Sequence, residues 1–172
     1  MCGYKTWIVA VTVSLCSLAG CSTEGPTVPK VTAVTGTVTL DGQVLAGAAV
    51  TFTHSSGASG VGVTDAQGHY ELVSYYGPRT EAKGVVPLDY QVTISKFVPP
   101  KGMTQEEYQA KVDAANQISA TGAVPTPAQQ APALQQLLPP QYSSPGKTEL
   151  KATVTAPGKN QFDFQLKGAA KA

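Results

Sequence analysis

Residues 34–52 read VTGTVTLDGQVLAGAAVTF, and their phase decides the fold. Val34, Gly36, Val38 and Leu40 fall on one side of an extended chain, and Thr35, Thr37 and Thr39 on the other. A period of two is the mark of a half-buried strand. Asp41-Gly42 then turns the chain, and Ala48, Val50 and Phe52 oppose Ala49, Thr51 and Thr53.

The same grammar continues outward. After SSGASG (55–60) come Val61 and Val63, then Tyr70 and Leu72, then Tyr90, Val92 and Ile94. Near the C-terminus Leu150, Ala152 and Val154 form one group and Phe162, Phe164 and Leu166 another, separated by the turn APGKN (156–160). About seven short strands, threonine outside and aliphatic or aromatic inside, predict an all-β antiparallel β-sandwich over 31–97 and 147–168. A core drawn from roughly 100 residues stands without staples.

Residues 98–146 break the pattern as an insertion before the last two strands. MTQEEYQAKVDAANQIS (103–119) predicts a helix over about 104–119, with Thr104 and Glu107 as a capping box and Glu107–Lys111 as an i,i+4 pair. Its narrow apolar stripe, Tyr108, Val112 and Ala115, is expected to lean on the sandwich, with Phe97 covering it. Gly122 to Gln141, rich in Pro, Ala and Gln, is expected to be a flexible extended arm.

The N-terminal residues carry an address. Lys5 precedes an uncharged, mostly apolar run, Trp7 to Leu18, too short to span a bilayer and suited to a signal peptide over 1–20. Leu18-Ala19-Gly20-Cys21 resembles a lipobox, which implies diacylglyceryl attachment at Cys21 and membrane anchoring through N-terminal lipid; an ordinary secretory signal and an uncleaved anchor are the competing readings. Residues 21–30 then read as a polar tether, and Ser22 favours the outer membrane by analogy with enteric sorting. Cleavage removes Cys2 and Cys16, so a lipidated Cys21 leaves no disulfide. Removing Lys5 from the 12 basic side chains leaves 12 − 1 = 11 against 11 acidic ones, which gives no electrostatic case for nucleic acid.

Candidate chemistry is sparse. VTDAQGHYEL (63–72) places Asp65, His69, Tyr70 and Glu71 close together, yet Asp65-Ala66-Gln67-Gly68 has the residue types of a hairpin turn. His69 and Glu71 take the solvent phase, and a metal site would need His54, the only other histidine, to converge on them. The calcium-loop spacing, a nucleophile elbow and a phosphate loop are all missing. No catalytic residue, metal ligand or cofactor is assigned. An isopeptide bond between Lys30 and Asn160 lacks an inward carboxylate to promote it. In the loop SYYGPRTEAKGVVP (74–87), Tyr75, Tyr76 and Arg79 are the candidate ligand-binding residues, suited to stacking on a sugar ring.

Taken together, VTGTVTLDGQVLAGAAVTF, GVTDAQGHYEL and VPLDYQVTISK resemble the carboxypeptidase regulatory-like domain. The matching positions are Gly36, Val38, Gly42, Gly47, Ala48, Val50, Thr64, Asp65, Gly68, Tyr70, Tyr90 and Val92. Val44 stands where proline is usual, and Leu88-Asp89 replaces Pro-Gly before Tyr90. LLPPQYSSPGKTELKATVTAPGKNQFDFQLK (137–167) is similar to the tail of small lipoproteins of planctomycete-type bacteria. The resemblance implies a Greek-key sandwich of transthyretin (prealbumin) type, and it names no activity. The enzymes sharing that fold, hydroxyisourate hydrolases and iron dioxygenases, depend on residue sets this chain does not match. The expectation is a non-enzymatic exported lipoprotein that binds an envelope protein or scaffolds; the alternative is a carbohydrate-binding surface module.

Overall fold

The computed structural model describes residues 28–168; the expected signal peptide, Cys21 and most of the tether lie outside the described residues. In chain order the strands are β1 (Val34–Leu40), β2 (Gln43–Val44), β3 (Ala49–Thr53), β4 (Ser59–Val63), β5 (His69–Glu71), β6 (Val73–Tyr75) and β7 (Glu81–Lys83). They continue with β8 (Asp89–Ser95), β9 (Phe97–Val98), β10 (Gln135–Gln136), β11 (Lys151–Thr153), β12 (Asn160–Gln161) and β13 (Phe164–Leu166). Helix α1 (Gln105–Ala120) and the single turn α2 (Pro140–Ser143) lie in the insertion. There are more segments than the expected seven strands because several strands are broken by a bend, as β5 and β6 are at Leu72.

The chain is mostly β, and two sheets share one core, an arrangement consistent with a β-sandwich. In one sheet β1 is central, flanked by β5 and β2 on one edge and by β12 and β13 on the other. The other runs β11-β8-β3-β4-β6-β7. Leu72 is the hinge between them: its N–H donates to Val34 O at 3.0 Å in the first sheet, and its carbonyl accepts from Gly84 N at 2.7 Å in the second. Phe52 joins the layers, its ring 5.8 Å from Tyr90, 5.8 Å from Phe162 and 6.4 Å from Phe164. Such aromatic pairs add about 0.5–1.5 kcal/mol each beyond the area they bury. Tyr90 ties its own strand to the preceding corner by donating to Val86 O at 2.8 Å.

Several expectations need correction. The sheets are not wholly antiparallel: β1 runs parallel to β12 and β13, with Val34 opposite Asn160 and Val38 opposite Phe164. The turn after β11 crosses from one sheet to the other at the end where β1 begins, so the last strand must leave in the same direction as β1. The Asp65–Gly68 turn likewise joins two sheets, β4 to β5, and is no hairpin within one sheet.

In β4 the phase is inverted, with Val63 67% exposed and Gly60 buried. A side chain at Gly60 would overlap Val85 Cγ1, and one at Gly62 would meet Glu71 O at 2.5 Å, so glycine faces inward where large neighbours fill the layer. The arm is not extended throughout. β10 pairs with β9, Leu137 N donates to Lys96 O at 2.8 Å, and Leu138 is buried in the core with Tyr142 packed beside it. Phe97 therefore pairs opposite Gln136 and stays exposed instead of covering α1.

The capping box of α1 is formed, Glu107 N donating to Thr104 Oγ1 at 3.2 Å and Thr104 N to Glu107 Oε2 at 2.8 Å. That use of the carboxylate explains why no Glu107–Lys111 ion pair accompanies it; the i,i+4 bond is Gln109 to Asp113 at 3.0 Å. No α1 residue is buried, and Tyr108, Val112 and Ala115 are half-buried.

Strand directions divide the domain into two ends. The chain enters at the end formed by 28–33, 54–58, 76–80, 84–89 and 154–159, and the insertion leaves from the opposite end with 41–47 and 64–68. Leu138→Ala should destabilise the domain by about 2–5 kcal/mol, the cost of emptying a packed leucine site. Shortening the exposed stretch 123–133 should change stability by under about 1 kcal/mol. Urea unfolding of both variants checks this.

Candidate functional site

The turn of residues 65–68 is built by Asp65. Its Oδ1 accepts from Gln67 N and His69 N, both at 2.9 Å, while Gly68 takes φ +78° and donates to Asp65 O at 3.0 Å. Next to it, the Thr64 hydroxyl accepts from Ala48 N at 2.8 Å and donates to Leu45 O at 2.6 Å, both buried. Asp65 and Thr64 are thus consumed by turn geometry. His69 Nδ1 lies 3.8 Å from Asp65 Oδ2 and both side chains are exposed.

Where the turn meets the last strand, three residues interlock. Tyr70 donates its hydroxyl to Phe162 O at 2.8 Å, and a Cβ on Gly36 would overlap that same carbonyl. The Phe162 carbonyl is thereby drawn toward Tyr70, and Asp163 takes its place on β1: Oδ1 accepts from Thr37 N at 2.8 Å and from Thr37 Oγ1 at 2.7 Å. Gln161 Nε2 adds a bond to Asp163 Oδ2 at 3.2 Å. These bonds, the Thr37 hydroxyl first, hold the Asp163 carboxyl below its usual range. Burial, reinforced by the nearby Asp163 charge, pushes the Tyr70 phenol well up. Sequence reading had no access to this lock, because it depends on which strand lies beside β1.

Two shallow grooves flank these elements. One, of about 540 Å³, runs beside β5 and is lined by Thr37, Asp65, His69, Glu71 and Gln161 among others. The other, of about 620 Å³, lies at the chain-entry end between His54, Asp89, Gln91, Lys151 and Thr153. The two histidines therefore sit in different grooves. His54 is engaged locally, with Nδ1 2.7 Å from Ser56 Oγ and its ring edge-on to Tyr90. Among the described residues no three His, Cys, Asp or Glu side chains come together as a metal site requires.

The loop expected around Tyr75, Tyr76 and Arg79 is partly a hairpin, with Tyr75 in β6 opposite Glu81. Tyr75 is exposed, Tyr76 is half-buried, and Arg79 sits exposed at the hairpin tip. Neither groove is lined by any of the three. Asn160 is occupied elsewhere: its carboxamide accepts from Thr155 N and donates to Thr155 O, each at 2.9 Å, fastening the crossing loop. No family model, curated protein or solved structure matches this chain.

The lock has pH signatures at both extremes. Asp163 has a folded pKa below its unfolded value of about 3.9, so its stabilisation is present above that pH and is lost as pH falls further. Asp163→Asn should flatten the acid limb of a stability–pH curve. Tyr70 is shifted the other way, so its contribution is complete below the unfolded value of about 10 and declines as pH rises. Tyr70→Phe should flatten the alkaline limb and cost about 1–3 kcal/mol at neutral pH by stripping a donor from Phe162 O. Urea titrations between pH 2 and 11 in steps of about one unit read both effects.

Proposed function

We propose that this protein is an exported, lipid-anchored, non-enzymatic interaction or scaffolding module of the cell envelope. The lipobox-like Leu18-Ala19-Gly20-Cys21 supplies the address, and the carboxypeptidase regulatory-like motifs support a Greek-key, transthyretin-like version of the two-sheet fold. The most closely held polar side chains, Thr64, Asp65, Asp163 and Asn160, serve turns and strand junctions, which suits a scaffold.

The observation that carries the reading is the ribbon of β9 and β10. Phe97 is 58% exposed, and Leu134 and Leu137, which flank β10, are 40% and 46% exposed. Exposed apolar side chains on and beside this short hydrogen-bonded ribbon suit a contact surface for another protein. Partner contact thus rests on the ribbon with Phe97. A sugar-binding role would fall to Tyr75, Tyr76 and Arg79 on the β6–β7 hairpin, and is the weaker reading.

In-cell crosslinking of the tagged protein with mass spectrometry of the captured material tests the proposal. A reproducible protein partner is expected, lost in Cys21→Ser and in the double variant Phe97→Ser/Leu137→Ser. Identical capture by the double variant would remove the ribbon from the interface.

A further inference from the structure

Resting on the lipid-anchored reading, we infer that the chain-entry end of the domain seats on an anionic lipid surface, holding the insertion and its exposed ribbon away from the membrane. The first support is where the chain enters. Residues 28–33 run into the fold beside 84–86, where Thr32 bridges to Val85, and Lys30 lines a groove with Pro157 and Gly158. Six residues lie between Cys21 and Val28, and the seven Cα–Cα steps from one to the other span at most about 25 Å fully extended. The entry end is therefore held near the headgroups, while the insertion leaves from the far end of the strands.

The second support is charge. Lys30, Arg79 and Lys159 sit on the entry segment, the β6–β7 hairpin tip and the crossing loop, all exposed and all at this end. Lys151 flanks them in the groove that also holds Asp89. Among the described residues the acids at this end are Glu81 and Asp89, and the Asp89 carboxylate already accepts from the Thr153 hydroxyl at 2.6 Å. Four basic side chains against two acidic ones leave this end cationic, although the whole chain has a formal charge of only +1. A basic side chain held near an anionic leaflet favours that position by about fivefold. Three of them on separate loops define a face that resists tilting.

Fluorescence transfer from a labelled domain to acceptor lipids tests the orientation. Single cysteines replace Ser55 at the entry end or exposed Val124 in the insertion, and the lipidated protein is reconstituted into vesicles with or without phosphatidylglycerol. In phosphatidylglycerol vesicles the Ser55→Cys probe should transfer several-fold more strongly than Val124→Cys. The difference should shrink in high salt and in Lys30→Glu/Arg79→Glu/Lys159→Glu. Equal transfer from both probes, or a difference that survives the triple variant and salt, would overturn the inference. Vesicle flotation judges the anchor separately: loss of the unlabelled protein from vesicles would count against lipidation itself.

Discussion

The architecture depends on the fixing of the Phe162 carbonyl against β1. Its oxygen accepts the Tyr70 hydroxyl in space that exists because Gly36 has no side chain. With that carbonyl committed, the amide of Thr37 is served by the Asp163 carboxylate, and the last strand stays in register on both sides of the break. One junction thereby couples the first strand, the strand that leaves the Asp65 turn, and the end of the chain. It also positions Phe162 and Phe164 against Phe52, where the two sheets meet.

From that junction the remaining order follows. The crossing loop is set by Asn160, so the last strand begins beside Val34 and runs parallel to β1. At the far end the Asp41 carboxylate receives Gly168 N at 3.1 Å, and Tyr142 Oη receives Lys167 N at 3.2 Å. The insertion is thus fastened where the last strand finishes. Leu138 closes the core there, and the Thr148 hydroxyl donates to Val92 O at 2.6 Å. A long insertion is tolerated because its two docked parts bury apolar surface and satisfy backbone groups, while α1 and the stretch after it need no place in the core.

Much of this was legible in residues 34–52, because alternation reports directly which side chains face inward. The capping box of α1 was equally legible, being a local pattern whose partners are three residues apart. Strand direction was not. A period of two is identical for parallel and antiparallel neighbours, and nothing local marks APGKN as a crossing between sheets. The phase of β4 misled because its inward residues are glycines, leaving Val61 and Val63 as its only large side chains. Leu138 was hidden by its surroundings: one core leucine among Pro, Ala and Gln does not shift composition. Tyr75, Tyr76 and Arg79 could be singled out by type, but the hairpin that carries Tyr75 opposite Glu81 is a pairing that only the fold specifies.

The most direct measurement is the unfolding free energy of Gly36→Ala beside Gly146→Ala, a glycine with open space around its missing side chain. The account predicts that Gly36→Ala costs at least about 3 kcal/mol, an overpacking penalty at the upper end because the obstruction is backbone. Amides of both β1 and β13 should lose hydrogen-exchange protection together, while Gly146→Ala stays close to wild type. A Gly36→Ala protein of unchanged stability, with β1 and β13 still protected, would contradict the claim that this junction holds the fold together.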